Sequence, residues 1–298
     1  MRRATLVLAA ALLPALLLAS CGDDDDGDEA EAETVDVIAT EYAFAGLPDE
    51  ISAGLLTISM DNQGAVDHEI AFVNIGEASN ADTFFDDFAP VITEGGAWPD
   101  YVTTAIGANE TGPGASGTFS YTLDEGTYMV FCALTGTPED PDSEEAPPHF
   151  AQGMQQVVTV TAGDDDPELP DADGAIIARD YTFDVDLSAG DSVINFTNEG
   201  PNDHFAGFDR FPDGTTVEEA EATFATLVSL DEGEEPPEGT LESEEIGFSG
   251  IASEGKSIQF ASSPLEAGTY VFYCFISDRA GGPPHAVGNE MYKAVVIE

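Results

Sequence analysis

The chain repeats itself. VIATEYAFAGLPDEISAG (37–54) matches AIIARDYTFDVDLSAG (175–190), and MDNQGAVDHEIAFVNI (60–75) matches NFTNEGPNDHFAGFDRF (195–211). EGTYMVFC (125–132) matches AGTYVFYC (267–274), and PPHFAQGMQQVVTV (147–160) matches PPHAVGNEMYKAVVI (283–297). The matches keep their order, with offsets from 136 (His68 to His204) to 142 (Cys132 to Cys274) positions. Whatever one copy folds into, the other folds into as well. The copies are expected to be domains at 34–162 and 174–298, joined by the acidic, Pro-containing linker 163–173.

Within each copy the pattern is β. Short runs of Val, Ile, Thr, Tyr and Phe recur between Gly, Asn, Asp and Pro clusters, which predicts an all-β chain of two tandem sandwiches. In MVFC and VFYC the strand period of two sends alternate side chains to opposite faces. One segment per copy breaks the rhythm. Residues 215–228 (TTVEEAEATFATLV) carry a Thr cap, early Glu residues and apolar positions at helical spacing, so a helix is expected. Residues 79–93 (SNADTFFDDFAPVIT) hold the equivalent place less regularly.

The amino end bears on the compartment. Arg2 and Arg3 precede an apolar run from Ala4 to Ala19, the layout of a secretory signal and too short for a spanning helix. Leu18-Ala19-Ser20-Cys21-Gly22 resembles the lipobox of bacterial lipoproteins. The resemblance implies a signal peptide at 1–20, cleavage before Cys21 and lipidation of its sulfur, with an acidic tether at 21–33. An extracytoplasmic protein anchored to the outer face of the membrane is expected. The alternative is an ordinary signal peptide with an incidental cysteine.

Charge narrows the partners. Against 59 Asp plus Glu stand 7 Lys plus Arg, a formal net charge of −52. Phosphate backbones would be repelled, so nucleic acid is not an expected partner. Anionic lipid would be met through the anchor alone. Self-repulsion of that size is screened by salt, which points to a saline setting and a halophilic adaptation. No D-x-[DN]-x-[DN]-G loop supports a calcium role.

The chain holds four His, three Cys and five Met. Apart from Cys21, every His and Cys falls at equivalent places in the two copies: His68, Cys132 and His149, then His204, Cys274 and His285. Met154 follows the first set and Met291 the second, while Met60 and Met129 read as core. A thiolate, two imidazoles and a weak thioether suit copper cycling between two oxidation states. Zinc would accept His₂Cys, but a thioether is a poor fourth ligand for it.

GTYVFYC (268–274) with PPHAVGNEM (283–291) resembles the Cys-His-Met loop of plastocyanin-like and halocyanin-like blue copper proteins of the cupredoxin superfamily. NEGPNDH (198–204) and NQGAVDH (62–68) resemble the strand end that supplies the first His there. The resemblance covers most of 34–298, once per copy. It implies Greek-key cupredoxin-like sandwiches, each with a short helix-bearing insertion and one type 1 copper. His204, Cys274, His285 and Met291 would hold one ion; His68, Cys132, His149 and Met154 would hold the other.

Three features depart from that pattern. Ten residues separate Cys274 from His285 and sixteen separate Cys132 from His149, where small blue copper proteins have only a few. The residue after the first His, often Asn in the family, is Glu69 or Phe205. Five residues separate His285 from Met291, but four separate His149 from Met154.

A one-electron carrier with redox partner proteins is the expectation, with an exposed His285 edge as electron port. Acidic surfaces would steer it toward basic partners. With all four His used as ligands, no catalytic copper and no nucleophilic His pair is expected within one chain, and so no enzymatic activity. The alternatives are a copper-buffering protein and a metal-free sandwich for surface binding. A Cys132–Cys274 disulfide is a further alternative, since the compartment permits one.

Overall fold

Alternation decides where the first strands face. In β1 (Glu33–Thr40) Val35, Val37 and Ala39 are buried while their neighbours are not, and β4 (Gly54–Asn62) buries Leu56, Ile58 and Met60 in the same way. Each is a strand with one face on a core. The structure is a computed structural model that describes residues 33–298 except 142, 144–145, 164–167 and 231–233. Signal segment 1–20, Cys21, the tether up to residue 32 and part of the linker lie outside the described residues. Among the described residues no helix is long and apolar enough to cross a membrane.

The first copy continues through β2 (Ala43–Ala45), β3 (Glu50–Ser52), β5 (His68–Asn74), α1 (Phe84–Glu94), β6 (Thr104–Thr111), β7 (Ser116–Leu123), β8 (Gly126–Phe131) and β9 (Gln155–Thr161). The second comprises β10 (Gly174–Arg179), β11 (Thr182–Asp186), β12 (Val193–Asn198), β13 (Gly207–Arg210), α2 (Val217–Val228), β14 (Glu244–Phe248), β15 (Ile251–Ala252), β16 (Ser257–Ala261), β17 (Gly268–Tyr273), α3 (His285–Gly288) and β18 (Tyr292–Ile297). The all-β expectation of two sandwiches with helical insertions holds.

One sheet of each sandwich has matching order, β2-β1-β4-β7 in the first copy and β11-β10-β12-β16 in the second. The facing sheets are β6-β5-β8-β9-β3 and β14-β13-β17-β18. β5 is buried along its whole length. Ile70 and Phe72 join the inner core, while Ala71 and Val73 face a second cluster with Phe84, Phe88 and Trp98 under α1. That double burial explains why Ile70–Val73 within β5 reads as an unbroken apolar run rather than an alternating one.

α2 covers the equivalent outer face of the second copy through Ala220 and Phe224. Its start is the expected one: the Thr216 hydroxyl accepts from Glu219 N–H, and the Glu219 carboxylate accepts from Thr216 N–H. The less regular segment becomes a 3₁₀ turn (Ala78–Asp82) followed by α1, which carries Pro90 and ends at Gly95 in the left-handed region.

The sandwiches are not separate bodies. β7 pairs antiparallel with β16, so the two four-stranded sheets fuse into one of eight strands. β15, from the second copy, adds to β6 of the first through Ile251↔Gly107 and Ala252↔Ile106. The approach is close at Gly250: φ is +80°, and a Cβ there would lie 2.4 Å from the Gly107 carbonyl oxygen. A polar cluster completes the seam. Arg279 donates to both carboxylate oxygens of Asp203 (2.7 and 3.0 Å) and to the Val102 carbonyl (2.8 Å), and it lies over the Trp98 ring. Asp203 also accepts from the Ser253 hydroxyl, which itself accepts from Ala105 N–H.

Asp203 is only 3% exposed, so removing its cation leaves a buried charge unpaired. Arg279→Met is expected to lower stability by about 3 kcal/mol, read as a shift in the urea midpoint. Because two sheets are shared, wild type is expected to give one cooperative unfolding transition in calorimetry rather than one per copy.

Candidate metal centres

The strand ends and one loop deliver each ligand set. His68 opens β5, Cys132 follows β8, and His149 opens a 3₁₀ turn (His149–Gln152) before β9. In the second copy His204 lies between β12 and β13, Cys274 follows β17, and His285 opens α3 before β18. The structure brings each sequence-read triad together. The donor atoms of His68, Cys132 and His149 lie within 4.8 Å of one another, as do those of His204, Cys274 and His285. All six residues are fully buried, and both thiols are free, which sets aside the disulfide.

In the second centre the two Nδ1 atoms are 3.2 Å apart, and Cys274 Sγ lies 3.6 Å from His285 Nδ1 and 3.8 Å from His204 Nδ1. Donors about 2.0–2.3 Å from a shared ion in a trigonal plane would be separated by roughly 3.5–4 Å. The triangle is therefore close to ion-ready.

Its electrostatics point the same way. His204 Nε2 sits 3.1 Å from an Asp180 carboxylate oxygen and His285 Nε2 3.0 Å from one of Asp278. Each carboxylate fixes the imidazole proton on Nε2, which turns the Nδ1 lone pairs toward each other and toward sulfur. Two lone pairs and a sulfur converging in a dry pocket call for a cation. The donor set of two imidazoles and a thiol suits copper.

The first centre is built alike but held less fully. His68 and His149 Nδ1 are 3.2 Å apart and Cys132 Sγ is 3.3 Å from His149 Nδ1. His149 Nε2 meets the Gly136 carbonyl at 3.3 Å, whereas His68 Nε2 is buried without a partner. Burial and the neighbouring His149 push His68 down to about 4. Burial also lowers His149 and His204 and raises both thiols, Cys274 to about 12.

Met154 and Met291 are fully buried in the same core cluster as the two Cys. Each Met N–H donates to the carbonyl of its site His, and each Met carbonyl accepts from the N–H of its site Cys. The one-residue difference in His-to-Met spacing is absorbed by the turn. A 3₁₀ turn ending at Gly153 serves the first copy, and an α turn followed by Glu290 at φ +55° serves the second.

Glu69 takes up the work of the expected Asn. Its N–H points at Cys132 Sγ (3.4 Å) and its carboxylate accepts from Ala133 N–H (2.8 Å), which ties β5 to the Cys loop. Burial raises it to about 7. Phe205 instead packs its ring against Phe248, tilted by 59° at 4.6 Å between centroids.

One expectation is corrected at once. His285 presents no exposed edge: Asp278 covers Nε2 and the Tyr181 ring lies 5.2 Å away. Tyr42 covers His149 at the same 5.2 Å, and both tyrosines sit at positive φ, 63° and 34°. Sequence reading missed these acid–Tyr pairs, Glu41-Tyr42 and Asp180-Tyr181, although they align within the first repeated segment. Asp278, Arg279 and Asp203 were missed too.

No protein-family model matches the chain, and no curated protein matches it either. Solved structures do match. A dithionite-reduced auracyanin from Roseiflexus castenholzii is 23% identical over 44% of this chain and 98% of its own (TM-score 0.28). A multicopper oxidase is 14% identical over 89% of this chain and 88% of its own (TM-score 0.25). A copper nitrite reductase from Nitrosomonas europaea is 14% identical over 90% and 94% (TM-score 0.26). The fold and the donor sets define the class: two β-sandwich copies, each with two imidazoles and a thiol gathered in a buried triangle, a donor set that suits copper. The expectation of no enzymatic activity is withdrawn, because the matched structures that span nearly the whole chain include an oxidase and a reductase. A His inventory within one chain does not count ligands that a second chain can supply.

Two outcomes follow. Burial raises both thiols, so binding a metal through the thiolates is expected to release a proton per centre. Apparent copper affinity is expected to rise about tenfold per pH unit between roughly pH 6 and 9, measured by competition with a chelator. Glu69 is raised from 4.5 to about 7, so the folded state binds its proton more tightly than the unfolded chain does. Its ionisation therefore erodes stability as pH climbs from 4.5 to about 7, and the loss is constant above. Glu69→Gln is expected to remove that slope, roughly 3 kcal/mol in the wild-type-minus-variant difference between pH 4 and 8, read from urea unfolding.

Proposed function

We propose that the chain is an extracytoplasmic one-electron carrier with one type 1 copper per copy. His204, Cys274, His285 and Met291 hold one ion, and His68, Cys132, His149 and Met154 hold the other. The observation that supports this is the second centre: two carboxylates keep both imidazole protons on Nε2, leaving the Nδ1 pair and sulfur to a metal. Copper bound there would supply exchange of one electron between Cu(II) and Cu(I). The residues do the rest. The His–carboxylate bonds resist ring rotation, and the backbone bonds between Met and its His and Cys hold the loop in one shape, which limits rearrangement between oxidation states.

The same reading places the chain on the outer face of a membrane through a lipid on Cys21, in a saline medium that screens its net charge of −52. Redox partners with basic surfaces fit that charge. Copper buffering is the second reading, favoured by the full burial of both centres.

Loading with Cu(II) is expected to give an intense visible charge-transfer band. Cys274→Ser and Cys132→Ser should each remove one component, and the double variant should be colourless. Reversible reduction and reoxidation of the band separates the carrier from the buffer. A colourless wild-type protein would overturn the proposal.

A further inference from the structure

The seam between the copies holds a half-open cavity of about 850 Å³. That is the size of a site for a small organic molecule. Its wall is mainly apolar: Phe88, Trp98 and Phe131 line it from the first copy, and Phe275 and Ile276 from the second. Trp98 and Phe131 both meet Phe88 edge to face, at 5.1 and 5.8 Å between ring centroids. Among its described lining residues Glu69 is the only charged side chain. One Glu69 oxygen takes Ala133 N–H, and a carboxylate has further lone pairs for a hydroxyl.

The placement is as specific as the lining. Glu69 follows His68, and Phe131 and Ala133 flank Cys132; Phe275 follows Cys274, and Pro284 precedes His285. The cavity thus borders the ligand-bearing segments of both centres at once. Aromatic edges and faces receive a flat ring, and the carboxylate receives a ring hydroxyl. A molecule without a hydroxyl would leave the carboxylate unused, and one without a flat ring would forgo the aromatic edges and faces.

We propose that this cavity binds a small aromatic diol of the hydroquinone class, the electron donor for the two centres. The donor role rests on the carrier reading above; the binding does not. Oxidation of one hydroquinone breaks both O–H bonds, turns the two ring oxygens into carbonyls, releases two protons to solvent and yields two electrons. One electron goes to the Cu(II) of each centre, so the balance closes without another reactant.

Trp98 is the only Trp in the chain and lines the cavity, so its fluorescence reports occupancy directly. Two probes separate binding from electron transfer in the copper-loaded chain. Resorcinol has the shape and hydroxyls but forms no simple quinone, and is expected to quench Trp98 saturably. Val91→Phe and Ile251→Phe, which fill the cavity from opposite copies, should each weaken that quench about tenfold. 1,4-Benzohydroquinone should bleach the visible band at a rate that saturates, with two coppers reduced per molecule. In both variants the hydroquinone rate should fall about tenfold relative to the rate with hexaammineruthenium(II), which needs no cavity. Unsaturable quenching, or a hydroquinone rate indifferent to both variants, overturns the site. A saturable resorcinol quench in a chain that shows no copper band keeps the binding and overturns the donor role together with the carrier reading.

Discussion

Main-chain pairing across the duplication is the constraint on which everything else depends. β7 and β16 would each be the edge of a four-stranded sheet, and pairing them satisfies both rows of backbone groups. β15 does the same for β6 and reaches further: Ala252 also exchanges backbone hydrogen bonds with His204. The first ligand of the second centre is thereby tied to a strand that belongs to the first copy's sheet. Arg279, inside the Cys274–His285 loop, makes the second such tie through Asp203 and Val102. The long loop is therefore clamped from outside its own sandwich.

The two centres show how a duplicated geometry diverges in its support. Both pair Nδ1 atoms at 3.2 Å, and both carry a Tyr at positive φ over the second His. Such backbone strain persists only where the surroundings hold it. The second centre has a carboxylate hydrogen-bonded to each imidazole; the first has a carbonyl on one, and on the other no hydrogen bond, only the field of the Glu41 carboxylate. Gly64 leaves the space beside His68 Nε2 open, since a Cβ there would lie 2.8 Å from that nitrogen. Glu69 compensates on the opposite side by bracing the Cys132 loop.

Much of this was legible in the residues. The repeat and the strand period pointed to paired sandwiches, and the confinement of every His and the two Cys beyond Cys21 to equivalent positions picked out both triads. The capping residues of α2 announced its start. What stayed hidden was non-local. Period-two patterning assigns faces to a strand but says nothing about which edge it joins, so the fused sheets could not be read from β7 or β16. Asp180 and Asp278 look like two more acids in a chain that holds 59. Only the fold sets them against His204 and His285, and the same contacts bury the His285 edge that a Gly-Pro loop led one to expect in solvent. Counting His residues was no ground for excluding catalysis either, because the count stops at one chain.

The shared sheets bear on how the gene product can be divided. The linker at 163–173 looks like a natural place to cut, yet a fragment ending there would keep β7 as an open edge and lose β15 from β6. It would also lay bare the aromatic wall formed by Phe88, Trp98 and Phe131. The other fragment would expose β16 and leave Arg279 with no ring or carbonyl to meet. Unpaired edges beside apolar surface are an invitation to aggregate. The present chain hides from solvent the edges that a lone copy would carry.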